Sequence, residues 1–345
     1  MPGSPHIIAT LGPSCSDTRT LAAMIEAGVD VFRLNFSQCS LEEHAMHLST
    51  LDAARRAVRR PVSVVGDLCG PRFRVGRIEP DGQELQAGQA VIIATDCPAG
   101  TANRFGTNYD HFVEDVRVDD PVFIDEGRIS LRVIGKRAGE VTCEVIRGAR
   151  LHSRKGINLP DTHLSAASVT EDDWRAVRWA IEHGLDHLAL SFVRSAEDVQ
   201  VLRRGLGGAP VKIVAKIETK QALGCLEPII QASDAVLLAR GDLGVEVDLA
   251  TIPVIQRQVA ESCRRLARPL WVATHILHSM ISDSVPTRAE VADVAAAVWD
   301  GAAGLVLTGE TAVGRHPVDV VRMLRRIITA VADGLDGPMV KRLDG

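Results

Sequence analysis

Residues 211–247, VKIVAKIETKQALGCLEPIIQASDAVLLARGDLGVEV, contain two apolar runs on either side of an amphipathic stretch. The runs VKIVAKIE (211–218) and AVLLAR (235–240) are nearly continuous rather than alternating, which is typical of parallel strands covered on both faces. Residues 219–231, between the two runs, follow a helical period. The stretch therefore predicts a strand, a helix and a second strand parallel to the first.

The same unit recurs along the chain. Further apolar runs predict strands at 6–12, 29–36, 62–68, 187–192, 270–277 and 304–310. Helical periods lie at 18–27, 41–58, 170–183, 195–205, 251–267, 287–300 and 316–333. Eight such units predict an α/β fold, the (β/α)₈ TIM barrel. A doubly wound open sheet is the alternative that periodicity alone leaves open.

One interval departs from this pattern. Between about 77 and 152 no helical period is visible, and short alternating strands separated by turn residues take its place. We expect a small all-β lid domain at 71–153, inserted after the third strand, with the barrel formed by 1–70 and 154–345. Loops after barrel strands lie at the carboxyl-terminal mouth, where an inserted domain can cover an active site and exclude water.

Composition excludes several classes of protein. The 345 residues carry 39 Lys and Arg against 44 Asp and Glu, a net charge of −5, which argues against a nucleic-acid partner. No apolar run approaches the ~18 residues of a membrane span, and the first residues lack the pattern of a signal peptide. Seven scattered cysteines without C-x-x-C indicate reduced thiols, so the cytoplasm is the predicted compartment.

Polar side chains collect at the predicted carboxyl ends of the strands. They are Arg33, Asn35 and Ser37; Asp67, Arg72 and Arg74; Lys216 and Glu218; Gly241 and Asp242; Thr274 and His275; and Thr308 and Glu310. Carboxylates and cations that converge on one mouth predict a hard divalent metal ion with a phosphorylated, anionic ligand. Mg²⁺ prefers one or two carboxylates plus water and substrate oxygens, and arginine binds phosphate bidentately. The glycine-flanked start of a short helix at Gly241 can present N–H groups to a carboxylate.

Each motif has an ordinary structural reading when it stands alone. Lys216 and Glu218 could form a surface ion pair, and the sequence around Asp242 could be a glycine turn. Their joint placement on consecutive strand ends favours a site. The chain has no G-x-x-x-x-G-K-[ST] motif and no H-E-x-x-H motif, so we expect neither a P-loop nor a zinc site. Thr287 and Glu290 predict a capping box with no chemical role.

The chain resembles the pyruvate kinase family over nearly its full length. The resemblance is carried, in family order, by the blocks IIATLGPSC, AGVDVFRLNFS, FIDEGRISLRV, RKGINLP, DHLALSFVRSAEDV, VAKIET, LLARGDLGVEV, VATHILHSMI, PTRAEVADVAAAVWDG and LTGETAVGRHPVDVV. It implies the family's barrel with a β lid after the third strand. It also implies the reaction of phosphoenolpyruvate, ADP and H⁺ to pyruvate and ATP.

The resemblance also implies residue roles. Lys216 would act on the transferring phosphoryl group and the enolate, and Arg33 would contact phosphate. Glu218 and Asp242 would bind Mg²⁺ or Mn²⁺. Gly241, Asp242 and Thr274 would contact the substrate carboxylate, and Thr274 is also implicated in protonating the enolate. The nucleotide phosphates would be bound by Asn35, Arg74 and Lys155. A monovalent cation would be bound by Asn35, Ser37, Asp67 and Leu68.

Several residues depart from the family pattern. Arg72 replaces a glutamate associated with potassium dependence, so we expect that K⁺ is not required. Cys69 replaces a lysine, Gln38 replaces a histidine and His275 replaces a glutamine, which makes the nucleotide side less conventional than the enolpyruvate side. The family's C-terminal regulatory domain and N-terminal helical segment are expected to be missing, which leaves a homodimer through barrel helices open.

Three hypotheses follow from these residues. The first is an active phosphotransferase of the pyruvate kinase type. The second is a divergent enzyme that uses the same metal–enolate site on another phosphorylated or 2-oxo carboxylate substrate. The third is a non-catalytic binding protein, which the joint presence of Lys216, Glu218 and Asp242 argues against.

Overall fold

The computed structural model describes residues 4–336. The strands are β1 His6–Thr10, β2 Val29–Asn35, β3 Ser63–Asp67, β4 Phe73–Arg74, β5 Gln83–Glu84, β6 Ala90–Ala94, β7 Arg104–Gly106, β8 Pro121–Ile124, β9 Ile129–Arg137, β10 Glu140–Arg147, β11 Arg150–Leu151, β12 Gly156–Asn158, β13 His187–Leu190, β14 Lys212–Ile217, β15 Ala235–Ala239, β16 Leu270–Ala273 and β17 Gly304–Leu307. The α-helices are α1 Thr18–Ala27, α2 Leu41–Val58, α3 Phe112–Asp115, α4 Glu171–Glu182, α5 Ala196–Gly205, α6 Lys220–Gly224, α7 Leu226–Ala232, α8 Arg240–Glu246, α9 Ile252–Arg265, α10 Arg288–Asp300, α11 Gly309–Ala312 and α12 Pro317–Asp336.

Eight parallel strands close into a barrel in the order β1-β17-β16-β15-β14-β13-β3-β2. Closure through the β1–β17 and β1–β2 pairs confirms the predicted TIM barrel and excludes the open sheet. The barrel interior is filled by a small apolar cluster of buried residues that includes Ile8, Val31, Val65, Val214, Leu237 and Val306. The interior is therefore a packed core, and functional side chains are confined to the strand ends.

Local sequence signals set the helix boundaries. Ser40 with Glu43 begins α2, and Thr287 with Glu290 begins α10 through the predicted capping box. Gly28, at φ +117°, ends α1 in the left-handed conformation that glycine adopts without steric cost. The outer ring of helices thus begins and ends close to the predicted positions.

The predicted helix over 219–231 is wrong in one respect, because the structure has two helices there. α6 ends at Gly224 and α7 begins at Leu226, with Cys225 between them in a non-helical conformation. Pro228 explains the break: its ring would collide with the carbonyl of Gly224 in a continuous helix, and it has no N–H to donate.

A second sheet lies between β3 and α4 in the sequence. Its seven strands have the order β4-β12-β8-β9-β10-β6-β7, and β5 pairs separately with β11. It has its own apolar core around Phe105, Phe112 and Ile129. The single helical turn α3 was not predicted, and β12 lies beyond the expected boundary at residue 153. The division into two domains stays a prediction.

Polar contacts join this sheet and its return segment to the barrel. Asn158 Nδ2 donates to Glu246 Oε1 at 3.3 Å, and the backbone N–H of Lys220 donates to the other oxygen of Glu246 at 2.8 Å. Arg194 donates to the carbonyls of Leu164 and Ala166 at 2.9 and 2.8 Å. These contacts place the second sheet beside the carboxyl ends of the barrel strands.

Within residues 4–336, none of the helices has the length and apolar character needed to cross a membrane. The predicted cytoplasmic location stays a prediction.

Candidate active site

Lys216, the penultimate residue of β14, lies at the centre of a buried charged cluster. Its Nζ is 3.2 Å from Oδ1 of Asp67 and 3.3 Å from Oε2 of Glu218, and it donates to Oγ of Ser191 at 2.7 Å. The Lys216 side chain is only 8% exposed. Burial would lower the pKa of Lys216, but the charges of Asp67 and Glu218 raise it above its ordinary value. The group is therefore a fixed cation at the barrel mouth.

Asp67, the last residue of β3, balances a second cation. Nε of Arg33 donates to its Oδ2 at 2.7 Å, and Nη1 of Arg33 donates to Oγ1 of Thr10 at 3.0 Å. Burial alone would raise the pKa of Asp67, but the charges of Lys216 and Arg33 outweigh burial and hold that pKa below its usual value. Asp67 is therefore ionised and orients both cations.

Glu218 follows β14 and is 1% exposed. Its Oε1 accepts a hydrogen bond from the backbone N–H of Phe192 at 2.8 Å. Its Oε2 lies near Lys216 but has no hydrogen-bond partner among the described residues. Burial raises the pKa of Glu218 to about 7, partly opposed by the charge of Lys216 and reinforced by the negative charge of Asp242. Glu218 thus carries an unused acceptor in a charged environment.

Asp242 lies in the first turn of α8 and is exposed to solvent. It lines a cavity of about 310 Å³ between the second sheet and the barrel mouth. One buried carboxylate with an unused oxygen and one solvent-facing carboxylate fit a hard divalent ion that keeps positions for water and substrate. Within residues 4–336, His, Cys, Asp and Glu form no group of three or more that could hold a metal ion. A bound ion at this pair would thus be completed by other oxygens.

Thr274 follows β16 and holds the start of α8. The backbone N–H of Gly241 donates to Oγ1 of Thr274 at 2.8 Å, and a Cβ on Gly241 would lie 3.1 Å from Cγ2 of Thr274. Nη2 of Arg240 donates to the carbonyl of Thr274 at 2.8 Å. Thr274 has φ +71°, a strained value for a β-branched residue that the surrounding contacts maintain. The predicted N–H donor at Gly241 is thus already paired within the protein.

Two of the three predicted nucleotide residues lie on the second-sheet side of the cavity, whereas Asn35 ends barrel strand β2 and does not line it. Arg74 and Lys155 both line it. Nη1 of Arg74 donates to the carbonyl of Arg154 at 3.0 Å, and Nζ of Lys155 is 2.9 Å from Oδ1 of Asp125. Each cation is therefore positioned by a partner and still borders the cavity.

The predicted monovalent-cation residues are engaged with one another. Oδ1 of Asn35 accepts hydrogen bonds from the N–H and the hydroxyl of Ser37 at 3.2 and 2.8 Å. Leu68 is buried, and its N–H donates to the carbonyl of Ala189 at 2.9 Å. The exposed Arg72 lines both the main cavity and a neighbouring one of about 420 Å³. Within this group, the side-chain oxygens of Asn35 and Asp67 thus already have donors.

The other departures border the same region. Cys69 lines the neighbouring cavity, and its N–H donates to Oδ1 of Asp173 at 2.8 Å. Gln38 is exposed next to Ser37, and His275 is exposed next to Thr274.

Two residues of the cluster were missed from the sequence. Ser191, which binds Lys216, and Thr10, which binds Arg33, follow or end the strands β13 and β1. The strand-end rule that found Asp67 applies equally to both. Glu310, expected at the mouth, is fully buried, and its carboxylate accepts the N–H groups of Thr308 and Leu277 at 2.7 and 3.3 Å. Its role is to fix loops rather than to face a ligand.

A closed parallel barrel with this charged cluster at the carboxyl ends of its strands defines a barrel enzyme. The family model described as pyruvate kinase, barrel domain, matches residues 4–321. The chain is 41% identical to a pyruvate kinase of Mycobacterium intracellulare and 39% identical to one of Corynebacterium glutamicum, covering 95% of this chain and 70% of each relative. A crystal structure of a pyruvate kinase from Cryptosporidium parvum superposes with a TM-score of 0.92 at 33% identity, covering 96% of this chain and 69% of that one.

The chain belongs to the pyruvate kinase family. The identity over almost the whole chain supports pyruvate kinase activity, that of a kinase of the transferase class.

Proposed function

We propose that the buried cluster at the barrel mouth transfers the phosphoryl group of phosphoenolpyruvate to ADP. The observation that carries this proposal is Lys216, a buried cation held between Asp67 and Glu218 at the carboxyl ends of the barrel strands. In the reaction the bond between phosphorus and the enol oxygen breaks and a bond to an ADP oxygen forms. The enolate that is left takes a proton at its terminal carbon.

Positioning and charge neutralisation account for most of phosphoryl-transfer catalysis. Lys216 stabilises negative charge on the enol oxygen and the transferring group, since its ammonium is compact and its partners keep it charged. Arg33 holds a phosphate oxygen through its guanidinium, whose orientation is set by Asp67 and Thr10. Neither residue needs to move far, because both are already fixed by short contacts.

Glu218 and Asp242 would hold Mg²⁺ or Mn²⁺. The unused Oε2 of Glu218 and the exposed carboxylate of Asp242 leave room for substrate oxygens. When bound, the ion supplies Lewis acidity and neutralises negative charge. The use of Mg²⁺ that is general in the family supports a divalent-cation requirement at this pair.

Thr274 and Asp242 contact the substrate carboxylate and its surroundings, and Gly241 acts through its hydrogen bond to Thr274. The Thr274 hydroxyl is held at the mouth by the Gly241 N–H, and we assign it to delivery of a proton to the enolate, through a water molecule. The strained backbone of Thr274 is consistent with a position fixed for function.

Asn35, Arg74 and Lys155 hold the nucleotide phosphates. Arg74 and Lys155 border the cavity from the second sheet. That sheet acts as the lid: it supplies phosphate-binding cations and limits the access of water to the reacting groups.

Arg72 takes the place of K⁺ in this chain. The oxygens of Asn35 and Asp67 that would bind a monovalent ion already have hydrogen-bond or ion-pair partners, and the Ser37 hydroxyl donates to Asn35. The guanidinium of Arg72, which lines the same cavity as Ser37, supplies permanent positive charge without an ion.

The test is a coupled assay of ATP formation from phosphoenolpyruvate and ADP with the variant Lys216→Met. Loss of the preorganised Lys216 ammonium, which stabilises negative charge in the transition state, is expected to lower kcat by about 10²–10³-fold. Lys212→Met is the matched control, because Lys212 begins the same strand at the opposite end and is exposed. We expect it to retain activity.

Equal activity in the wild type and Lys216→Met would overturn the assigned role. Consumption of phosphoenolpyruvate without dependence on a nucleotide would instead support a divergent enzyme acting on another carboxylate substrate. A chain that binds neither substrate and turns over nothing would support a non-catalytic protein.

A further inference from the structure

The loop after β16 carries two imidazoles side by side. The ring centroids of His275 and His278 are 4.7 Å apart, with an angle of 70° between the ring planes. Both residues are exposed. Across residues 4–336 neither ring has a hydrogen-bond or ion-pair partner, so both retain nitrogen atoms that a ligand can use.

The backbone that carries the two rings is fixed at three points. Arg240 binds the carbonyl of Thr274, buried Glu310 accepts the N–H of Leu277, and Glu290 accepts the N–H of Ser279 at 2.7 Å. These anchors come from three different helices, α8, α11 and α10. The loop is therefore held by neighbouring helices rather than by contact between the imidazoles. A ligand that bound both rings would lose little free energy to ordering of the backbone.

The separation of the rings matches that of two ligands on one metal ion. Metal–nitrogen distances are about 2.0–2.1 Å. With a nitrogen–metal–nitrogen angle between the square-planar and the tetrahedral value, the ring centroids of two imidazoles on one ion lie roughly 4.5–5.2 Å apart. The observed 4.7 Å lies inside this range.

We propose that His275 and His278 form a two-imidazole site for a borderline divalent transition-metal ion such as Ni²⁺ or Zn²⁺. The site is chemically distinct from the carboxylate pair Glu218 and Asp242, because imidazole suits these ions whereas carboxylates suit Mg²⁺. Water molecules or an anionic oxygen complete the coordination. The proposal depends on the loop alone and does not require the assigned catalytic roles.

The experiment is calorimetric titration of the full chain with NiCl₂, with the cysteines kept reduced. Excess MgCl₂ is present, so that Mg²⁺ rather than Ni²⁺ occupies the carboxylate pair. Ni²⁺ is chosen because it favours imidazole, which limits competition from the free thiols. The variants are His275→Asn and His278→Gln. Asparagine suits position 275 because that residue has φ +54°, a conformation that asparagine tolerates. His163→Gln, at an exposed histidine elsewhere, is the matched control.

We expect the wild type and His163→Gln to bind Ni²⁺ with equal affinity. Each variant of the pair should lose about tenfold or more in affinity, equivalent to at least ~1.4 kcal/mol. Absence of binding by the wild type would overturn the proposal. So would unchanged affinity in both variants, or a loss in only one of them, since two ligands to one ion must both contribute.

Discussion

Nζ of Lys216 lies 3.2 Å from Oδ1 of Asp67, although the two side chains are only 8% and 3% exposed. The same carboxylate also pairs with Arg33 at 2.6 Å. One buried acid therefore balances the buried Lys216 and the partly buried Arg33, which come from two different barrel strands. The charges can remain buried only while the set is complete, because an unpaired buried ion is costly.

Asp67→Asn should destabilise the protein strongly. It leaves Lys216 and Arg33 without their shared anion, and breaking a buried pair of this kind costs about 3–5 kcal/mol. The measurement is the free energy of unfolding from urea denaturation. Asp52→Asn is the control, because Asp52 forms only a surface pair with Arg55 and should change stability by less than about 1 kcal/mol. Similar losses in the two variants would contradict the account of the cluster.

Turnover should not depend on K⁺. The exposed Arg72 lines the same cavity as Ser37, which donates to Asn35, and we expect its permanent positive charge to replace that of K⁺ there. We expect equal kcat in buffers containing K⁺ or tetramethylammonium. Arg72→Glu should lower kcat without K⁺ and restore part of it when K⁺ is added. A large stimulation of the wild type by K⁺ would refute this role.

Thr274 should affect the proton-transfer half of the reaction more than substrate binding. Thr274→Val keeps the branched shape but removes the hydroxyl that accepts the Gly241 N–H. We expect exchange of the pyruvate methyl protons with D₂O, followed by NMR, to slow by about 10²-fold or more. Thr274→Ser, which retains the hydroxyl, should stay within about tenfold of the wild type. Equal slowing in both variants would argue that only the packing of Thr274 matters.

The barrel was predictable because its strands can be recognised from short apolar segments of the sequence. Near-continuous apolar runs mark strands covered on both faces, and all eight observed barrel strands lie inside the predicted ranges. The errors arose where the helical period of the sequence does not show where a helix begins or ends. Pro228 divides one predicted helix, and the four-residue turn α3 is too short for a helical period to be visible in the sequence.

The charged cluster was predictable to the same extent, because the carboxyl ends of barrel strands meet at one mouth. That rule alone groups Arg33, Asp67, Lys216 and Glu218. It could not show that Glu310 faces backbone N–H groups, since orientation depends on loop geometry. The N–H of Phe192 binds Glu218, and the left-handed backbone conformation of Phe192 likewise could not be predicted from its residue type.

Acidification should destabilise the fold through His44. His44 lies in α2, is 2% exposed and packs edge-on against Phe36 at 5.2 Å between ring centroids. Burial, assisted by the charge of His47, lowers the pKa of His44 to about 4. In the unfolded chain its pKa is about 6.5, so between these values the unfolded state binds more protons and stability rises with pH.

The stability that a neutral His44 contributes is therefore present above about pH 6.5 and is lost progressively as the pH falls towards 4. Urea denaturation at about pH 7 and about pH 5 should show a loss of about 2 kcal/mol from this residue in the wild type. In His44→Phe, which keeps an aromatic ring against Phe36 but cannot take a proton, that part of the loss should vanish. His163→Gln, which alters an exposed histidine, should behave as the wild type does. An unchanged pH dependence in His44→Phe would show that the acid sensitivity of the fold originates elsewhere.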